Sequence, residues 1–171
     1  MKNYFVLTAF IILNSTIILA QNNTPQQTLL HQLIQQNQLT CSFALDQVEA
    51  SNLDWKLNDS TASIGFIYKH IGEVMNLFGN FLEKPSAVPN TTMRQHDTGQ
   101  GRDFIQSKQY IEQGFAMLQA LVNEKTDEWW MLEIDTPFFG KVSKLRLFSH
   151  ILYHNAHHAG QISLTLSKAQ K

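Results

Sequence analysis

Apolar residues recur at helical spacing in four long stretches of the chain. These stretches cover about residues 24–50, 62–83, 103–124 and 142–168. No segment shows the sustained alternation of apolar and polar residues that is typical of a β-strand, and no hairpin dipeptide lies between two such runs. The pattern therefore predicts an all-α protein. Because four helices of this length share one core most simply in a bundle, a four-helix bundle is the favoured architecture.

Polar connectors separate the four predicted helices. The first connector covers residues 52–59, and Ser60 or Thr61 is the predicted N-terminal cap of the second helix. Pro85 ends that helix, and residues 86–101, rich in Pro, Asn, Thr and Gly, form a predicted long loop. Connectors of this length allow an order of helices other than plain up-and-down.

The third connector, residues 126–140, is irregular and rich in aromatic residues. It contains the pairs Trp129–Trp130 and Phe138–Phe139. We expect these pairs to cover the end of the bundle, and an apolar substrate pocket or a dimer surface is the alternative.

Residues 1–20 have the pattern of an export signal. Lys2 provides the positive start, an apolar run follows, and the composition turns polar directly after Ala20. Polar residues 14–16 interrupt the run, which makes an uncleaved membrane-spanning anchor the weaker interpretation. We therefore predict cleavage after Ala20, a periplasmic or secreted protein without stable membrane insertion, and one domain over residues 21–171.

The composition of this domain excludes several classes of function. Without residues 1–20 the chain has 12 Lys and Arg against 14 Asp and Glu, and no basic run appears. The electrostatic footprint of a nucleic-acid-binding protein is thus missing. Cys41 is the single cysteine, so no intramolecular disulfide can form, and it lies too far from residue 20 for lipid attachment. Its place in an apolar helical pattern predicts a buried, inert thiol rather than a reactive one.

Three histidines lie within five residues of the fourth predicted helix. His154 and His158 are four residues apart, which places them on one face, as in metal sites of the HExxH type. His157 points about 100° around the helix from its neighbour His158, so we expect it to contact a neighbouring helix or to support a ligand. His150 also lies four residues from His154, and spacing alone allows it to replace His158.

His70, in the middle of the second predicted helix, is the natural third ligand. Gly72 beside it would let another helix approach closely. Three imidazoles leave an ion with an open position for water or substrate, as in catalytic sites, and both zinc and nickel suit such ligands.

Other polar residues have weaker claims to a site role. Glu73, a weak candidate catalytic residue, could accept a proton or orient a ligand imidazole, but an exposed helical carboxylate is the preferred interpretation. Gln161 could hydrogen-bond a ligand or stabilise helix packing. His31 and His96 are predicted to be ordinary surface or loop residues.

Two motifs carry a family resemblance. Residues 60–71, STASIGFIYKHI, resemble the second-helix signature of the DinB-like superfamily, and residues 152–162, LYHNAHHAGQI, resemble its C-terminal signature. The resemblance covers essentially all of the predicted mature chain. It implies a four-helix bundle, frequent homodimers, and a metal site at His70, His154 and His158, so it favours His158 over His150.

The resemblance also bears on activity. Characterised DinB-like relatives include thiol-dependent S-transferases and isomerases, most of them cytoplasmic. This chain departs from the family pattern at Ala159, where an arginine is common, which weakens any role for a basic group there. Because an exported protein lacks cytoplasmic thiols, we expect a hydrolase of a small molecule that uses metal-activated water. A thiol-dependent S-transferase and a non-catalytic metal- or ligand-binding module are the alternatives.

Overall fold

The computed structural model describes residues 23–169, and the signal peptide predicted at residues 1–20 lies outside this range. Its elements in chain order are α1 (Pro25–Leu45), α2 (Ile64–Phe81), α3 (Phe104–Glu124), α4 (Asp127–Met131), β1 (Glu133–Thr136), β2 (Gly140–Ser143) and α5 (Lys144–Lys168). The four long helices fall within the four stretches that the apolar pattern predicts. No helix within residues 23–169 combines the length and apolar character that crossing a membrane requires.

Each long helix begins after a polar residue whose side chain accepts a hydrogen bond from a backbone N–H of the first turn. These capping residues are Thr24, Ser63, Asp103 and Ser143. The predicted cap of α2 at Ser60 or Thr61 is therefore wrong. Both hydroxyls instead donate to Asn58 in the preceding turn, which delays the start of α2 until Ile64.

The long helices form the predicted four-helix bundle. α1 packs against α3 and α5, and α2 also packs against α3 and α5. Consecutive helices α1 and α2 therefore lie across a diagonal of the bundle. The segment between them crosses the bundle end and is tied to α2 by hydrogen bonds from Ile64 N to Trp55 O and from Gly65 N to Leu53 O, at 2.9 and 2.8 Å.

α2 and α3 approach each other closely at two glycines. A Cβ atom at Gly72 would lie 2.7 Å from Tyr110 Cβ and 2.8 Å from the backbone N of Ile111. On the facing helix, a Cβ atom at Gly114 would lie 2.7 Å from Met75 Cβ. The close approach predicted for Gly72 is therefore present, and its partner is α3.

The core is contiguous and runs through all four long helices. Its largest fully buried side chains include Leu30, Ile34, Ile71, Met75, Phe78, Leu118, Leu121, Trp130, Leu147 and Phe148. Cys41 is fully buried among them, and burial raises its pKa to about 11. The thiol is therefore protonated at neutral pH, as the prediction of an inert cysteine requires.

The expectation that the chain contains no strand is wrong. β1 and β2 form an antiparallel hairpin, in which Glu133 pairs with Ser143 and Thr136 pairs with Gly140. The turn is closed by Gly140, at φ +61°, and by a hydrogen bond of 3.1 Å from Phe139 N to Thr136 Oγ1. Each strand has only four residues. Alternation over so few positions does not stand out in sequence.

The aromatic pairs of this segment cover the bundle, as predicted. Trp130 is fully buried and packs against Phe148, with 5.2 Å between ring centroids. Phe138 and Phe139, at the tip of the hairpin, pack against Phe78 of α2 at 5.5 and 6.1 Å. The hairpin tip therefore lies on the α2–α5 side of the bundle.

Candidate metal centre

The structure brings together the three histidines that the sequence predicts as ligands. His154 and His158 lie one turn apart on α5, with 4.3 Å between ring centroids. His70 of α2 faces both rings, at 5.0 and 4.8 Å. One ring nitrogen from each histidine can be chosen so that all three atoms lie within 4.8 Å of one another. The cluster therefore joins two helices that are adjacent in the bundle.

The geometry of the cluster fits a metal ion. His70 Nε2 and His154 Nε2 are 3.2 Å apart. Two nitrogens that bind one ion tetrahedrally at about 2.0–2.1 Å are separated by roughly 3.3 Å, so this pair already has the required spacing. Imidazole nitrogens suit zinc, nickel and related ions.

Burial keeps the three imidazoles neutral. Burial first, and then the neighbouring imidazoles, lower the pKa of His70 to about 4 and that of His154 to about 2. The pKa of His158 is also lowered, chiefly by burial. Because a histidine binds a metal only through a neutral ring nitrogen, all three are in the form that ligation requires near pH 7.

Glu73 lies behind His70 and is fully buried, so the expectation of an exposed carboxylate is wrong. The loop of residues 86–101 folds back over α2 and covers it. Glu73 accepts hydrogen bonds from the backbone N–H groups of Thr91 and Thr92, at 2.8 and 2.9 Å, and from their hydroxyls, at 2.8 and 2.6 Å. Lys69 Nζ, 3.6 Å away, partly offsets the buried charge.

Thr92 connects Glu73 to His70. Its hydroxyl donates its single proton to Glu73, so its oxygen can only accept from His70 Nδ1, which is 3.0 Å away. His70 therefore carries its proton on Nδ1 and directs the lone pair of Nε2 into the cluster. The orienting role proposed for Glu73 thus acts through Thr92, a residue that the sequence did not single out.

Gln161 has a similar effect on His158. Its Oε1 accepts a hydrogen bond from His158 Nδ1 at 2.7 Å, which leaves Nε2 of that ring free to ligate. Of the two roles considered for Gln161, the contact with a candidate ligand is the one that the structure contains. Its Nε2 lies 3.3 Å from His157 Nε2.

His157 and His150 lie outside the cluster. His157 is exposed and stacks on Tyr153 of its own helix, so it does not reach a neighbouring helix. It contacts Gln161, whose amide oxygen is the hydrogen-bond partner of His158. His150 packs against Phe139, with 4.5 Å between ring centroids, and is not part of the three-histidine group.

His31 and His96 are also remote. His31 Nδ1 is 2.8 Å from Gln119 Oε1, which links α1 to α3, and His96 is exposed on the loop before α3.

A cavity of about 470 Å³ opens beside the cluster. One side is apolar and includes Leu57, Ala62, Phe66, Ile67 and Leu164. The other side carries the polar groups His70, Thr92, Arg94, His158 and Gln161. Arg94 and Thr92 come from the loop of residues 86–101, where no periodicity marks a residue as inward-facing, so sequence pattern could not have found them. A small molecule in the cavity would contact two of the three histidines.

Family comparison agrees with this arrangement. The sequence model of the DinB superfamily matches residues 23–162. The chain belongs to the DinB superfamily. This match confirms the resemblance carried by residues 60–71 and 152–162. No curated protein matches the chain in sequence.

Several solved structures have the same fold at low sequence identity. YfiT from Bacillus subtilis, described as a probable metal-dependent hydrolase with an unusual four-helix bundle topology, aligns with a TM-score of 0.64 and 14% identity over 86% of this chain and 90% of its own. A DinB-like protein from the same organism, YjoA, gives 0.56 and 20% over 80% and 90%. A conserved protein from Enterococcus faecalis gives 0.63 and 13% over 81% and 94%.

Proposed function

We propose that this DinB superfamily member is a metal-dependent hydrolase of a small molecule, with His70, His154 and His158 as the metal ligands. The observation that carries the proposal is the convergence of three neutral imidazoles, two of which, His70 and His158, line a cavity. A divalent ion held there, zinc or nickel, supplies Lewis acidity and activates water. The description of YfiT as a probable metal-dependent hydrolase supports the same class of reaction.

The residues around the cluster prepare it for this chemistry. Thr92 and Gln161 fix the proton positions of His70 and His158, so that Nε2 is the unprotonated nitrogen of both rings. The apolar side of the cavity binds the body of the substrate and limits the access of bulk water. Glu73 is a positioning residue rather than a general base, because four hydrogen bonds already occupy its oxygens.

A non-catalytic binding module is the second candidate. Among residues 23–169, no Asp or Glu lines the cavity. General-base catalysis by a carboxylate in direct contact with substrate therefore lacks its usual residue. A metal-binding protein that holds a ligand without turnover is compatible with such a cavity.

We further propose that the protein is exported and cleaved after Ala20, on the strength of the sequence pattern of residues 1–20. Mass spectrometry of the protein recovered from the periplasm or the medium should give a mature chain that begins at Gln21. An intact N-terminus would contradict cleavage.

Elemental analysis of the purified mature protein tests the metal site. We expect about one zinc or nickel ion per chain in the wild type. His70→Ala and His158→Ala should lose it, since two imidazoles hold such an ion far more weakly than three. His157→Ala is the matched control, because it removes a neighbouring imidazole that lies outside the cluster, and it should retain the ion. A wild type without metal, or ligand variants that keep it fully, would refute the site.

Turnover of a panel of esters and amides, with and without an added thiol, tests the reaction. A hydrolase should act without the thiol and lose activity in His154→Ala. Turnover only with the thiol would favour the S-transferase. Stoichiometric metal with no turnover would leave the binding module.

A further inference from the structure

The cavity beside the histidine cluster has an unbalanced charge. Its wall contains Arg94 and, among residues 23–169, no Asp, Glu or Lys. Arg94 therefore supplies a permanent positive charge to a space that is otherwise largely apolar.

The backbone holds Arg94 in an unusual conformation. It lies at the third position of the turn from Thr92 to Gln95, closed by a hydrogen bond of 3.1 Å from Gln95 N to Thr92 O. Its φ is +57°, in the left-handed region that Gly and Asn adopt more readily than other residues. The turn itself would be satisfied by Gly or Asn, so the presence of arginine points to a role for the side chain. Glu73 anchors the start of this turn through Thr91 and Thr92.

The guanidinium of Arg94 lies over the ring of Phe138 at the hairpin tip, 5.5 Å from its centroid. This contact orients the side chain without using its hydrogen-bond donors. The ion pairs of residues 23–169 do not include Arg94, whereas Arg102, in the same connector, is paired with Asp54. Arg94 thus lines the cavity and makes no ion pair there, so the hydrogen-bond donors of its guanidinium are available to an anion that enters the cavity.

We propose that Arg94 binds the carboxylate of the substrate. The ligand is a small molecule that has an apolar body against Phe66, Ile67 and Leu164, a carboxylate on Arg94, and a hydrolysable ester or amide bond at the histidines. A guanidinium matches a carboxylate with two parallel hydrogen bonds, which a neutral analogue cannot form. The anion site stands on the cavity alone, while the hydrolysable bond rests on the proposed function.

Binding of two matched probes tests the anion site. Calorimetry with the zinc-loaded protein should show that 4-phenylbutanoate binds about tenfold or more tightly than 4-phenylbutanamide, as expected for a charged hydrogen-bonded pair. Arg94→Asn should remove this preference. Asparagine tolerates a positive φ, so this variant removes the charge without straining the turn, and its unfolding transition should match that of the wild type. Arg102→Gln, which removes a cation outside the cavity, should keep the preference.

The result separates the anion site from the hydrolase. Equal binding of the two probes to the wild type would overturn the proposal. So would a carboxylate preference that survives in folded Arg94→Asn, because the metal or the histidines would then be binding the anion.

A second pair of probes, the 4-nitrophenyl monoester of glutaric acid and 4-nitrophenyl pentanoate, reports turnover. A higher kcat/KM for the charged ester, lost in Arg94→Asn, supports the full proposal. A preference for the carboxylate probe with no turnover of either ester would support the anion site and contradict the hydrolase. Turnover of both esters without a charge preference, together with equal binding of the first pair, would keep the hydrolase and remove the anion site.

Discussion

The position of the proton on His70 is determined three residues along the chain, at Glu73. The buried carboxylate accepts a hydrogen bond from the Thr92 hydroxyl, and the hydroxyl oxygen in turn accepts one from His70 Nδ1. Thr92 therefore lets the charge of Glu73 determine which nitrogen of His70 carries the proton. The same bonds fix the loop that carries Arg94, so one carboxylate organises both the cluster and the cavity wall.

Replacement of Thr92 by valine tests this arrangement. The two side chains have nearly the same shape, and we expect Thr92→Val to weaken zinc affinity about 10–100-fold, as is common when a partner behind a ligand is removed. Competition with a chromophoric chelator measures the affinity. Thr91→Val is the control, since Thr91 bonds Glu73 but does not contact His70. Equal losses of zinc affinity in both variants would show that the affinity depends on the hydrogen bonding of buried Glu73 and not on the tautomer of His70.

Glu83 gives a prediction for the pH dependence of stability. It follows α2 and accepts hydrogen bonds from Lys144 Nζ at 2.5 Å, Lys125 Nζ at 3.0 Å and Trp129 Nε1 at 3.1 Å. The bond from Lys144, followed by that from Lys125, lowers the pKa of Glu83 from 4.5 to about 2. Because the folded pKa lies below the unfolded one, the contribution is complete above about pH 4.5 and is lost as the pH falls towards 2.

We therefore expect Glu83→Gln to lower the free energy of unfolding at neutral pH by about 1 kcal/mol, a modest value because the carboxylate is half exposed. Urea denaturation of both proteins should show the difference shrinking as the pH falls from 4.5 towards 2. A difference that stays constant with pH would mean that the charge of Glu83 is not its cause.

At the residue scale, sequence pattern found the three histidines because helix periodicity and family motifs mark them. It could not find Thr92 or Arg94, whose positions depend on how an aperiodic loop folds back. It misjudged Glu73 for the same reason, since the residues that bury this carboxylate come from that loop.

At the scale of elements, helix periodicity predicted all four long helices, with the largest difference at the end of α1, which stops at Leu45 rather than near residue 50. The errors lie where local hydrogen bonds decide the structure. Ser63 caps α2 because the hydroxyls of Ser60 and Thr61 are used by Asn58. The hairpin of β1 and β2 is too short to show a period, and its stability depends on packing of the tip against α2.

Two helical glycines should respond to alanine in opposite directions. Gly72→Ala places a Cβ atom 2.7 Å from Tyr110 Cβ and should destabilise the protein by about 1–3 kcal/mol, since backbone would have to move. Gly160→Ala meets nothing within 4 Å on α5 and should stabilise by about 0.5–1 kcal/mol through helix propensity. Urea denaturation measures both.

A destabilising Gly160→Ala would contradict the second expectation. It would mean that another surface covers Gly160, and a second copy of this chain is then the first candidate. Size-exclusion chromatography of the two proteins would decide.

At the scale of the whole molecule, the bundle could be predicted but the placement of its helices could not. An amphipathic helix must bury its apolar face against other helices, but the apolar pattern does not identify which helices these are. The structure puts α1 and α2 on a diagonal and makes α2 and α5 neighbours. Only this choice brings His70 to the face of α5 that carries His154 and His158.

Metal binding should therefore stabilise the whole fold. At a free zinc concentration about 100 times the Kd, the gain in unfolding free energy is about 2.7 kcal/mol. Thermal unfolding with and without zinc should show a rise in Tm for the wild type and none for His158→Ala. A rise of the same size in that variant would place the stabilising ion elsewhere.

His70 and His154 are separated by 84 positions in the chain, yet their Nε2 atoms are 3.2 Å apart. In a protein with one cysteine, an ion shared by these nitrogens would be a removable cross-link across half of the sequence. The amount of folded protein would then depend on the metal supplied. Removal of the ion would favour the unfolded chain and expose it to proteolysis, even while substrate is present.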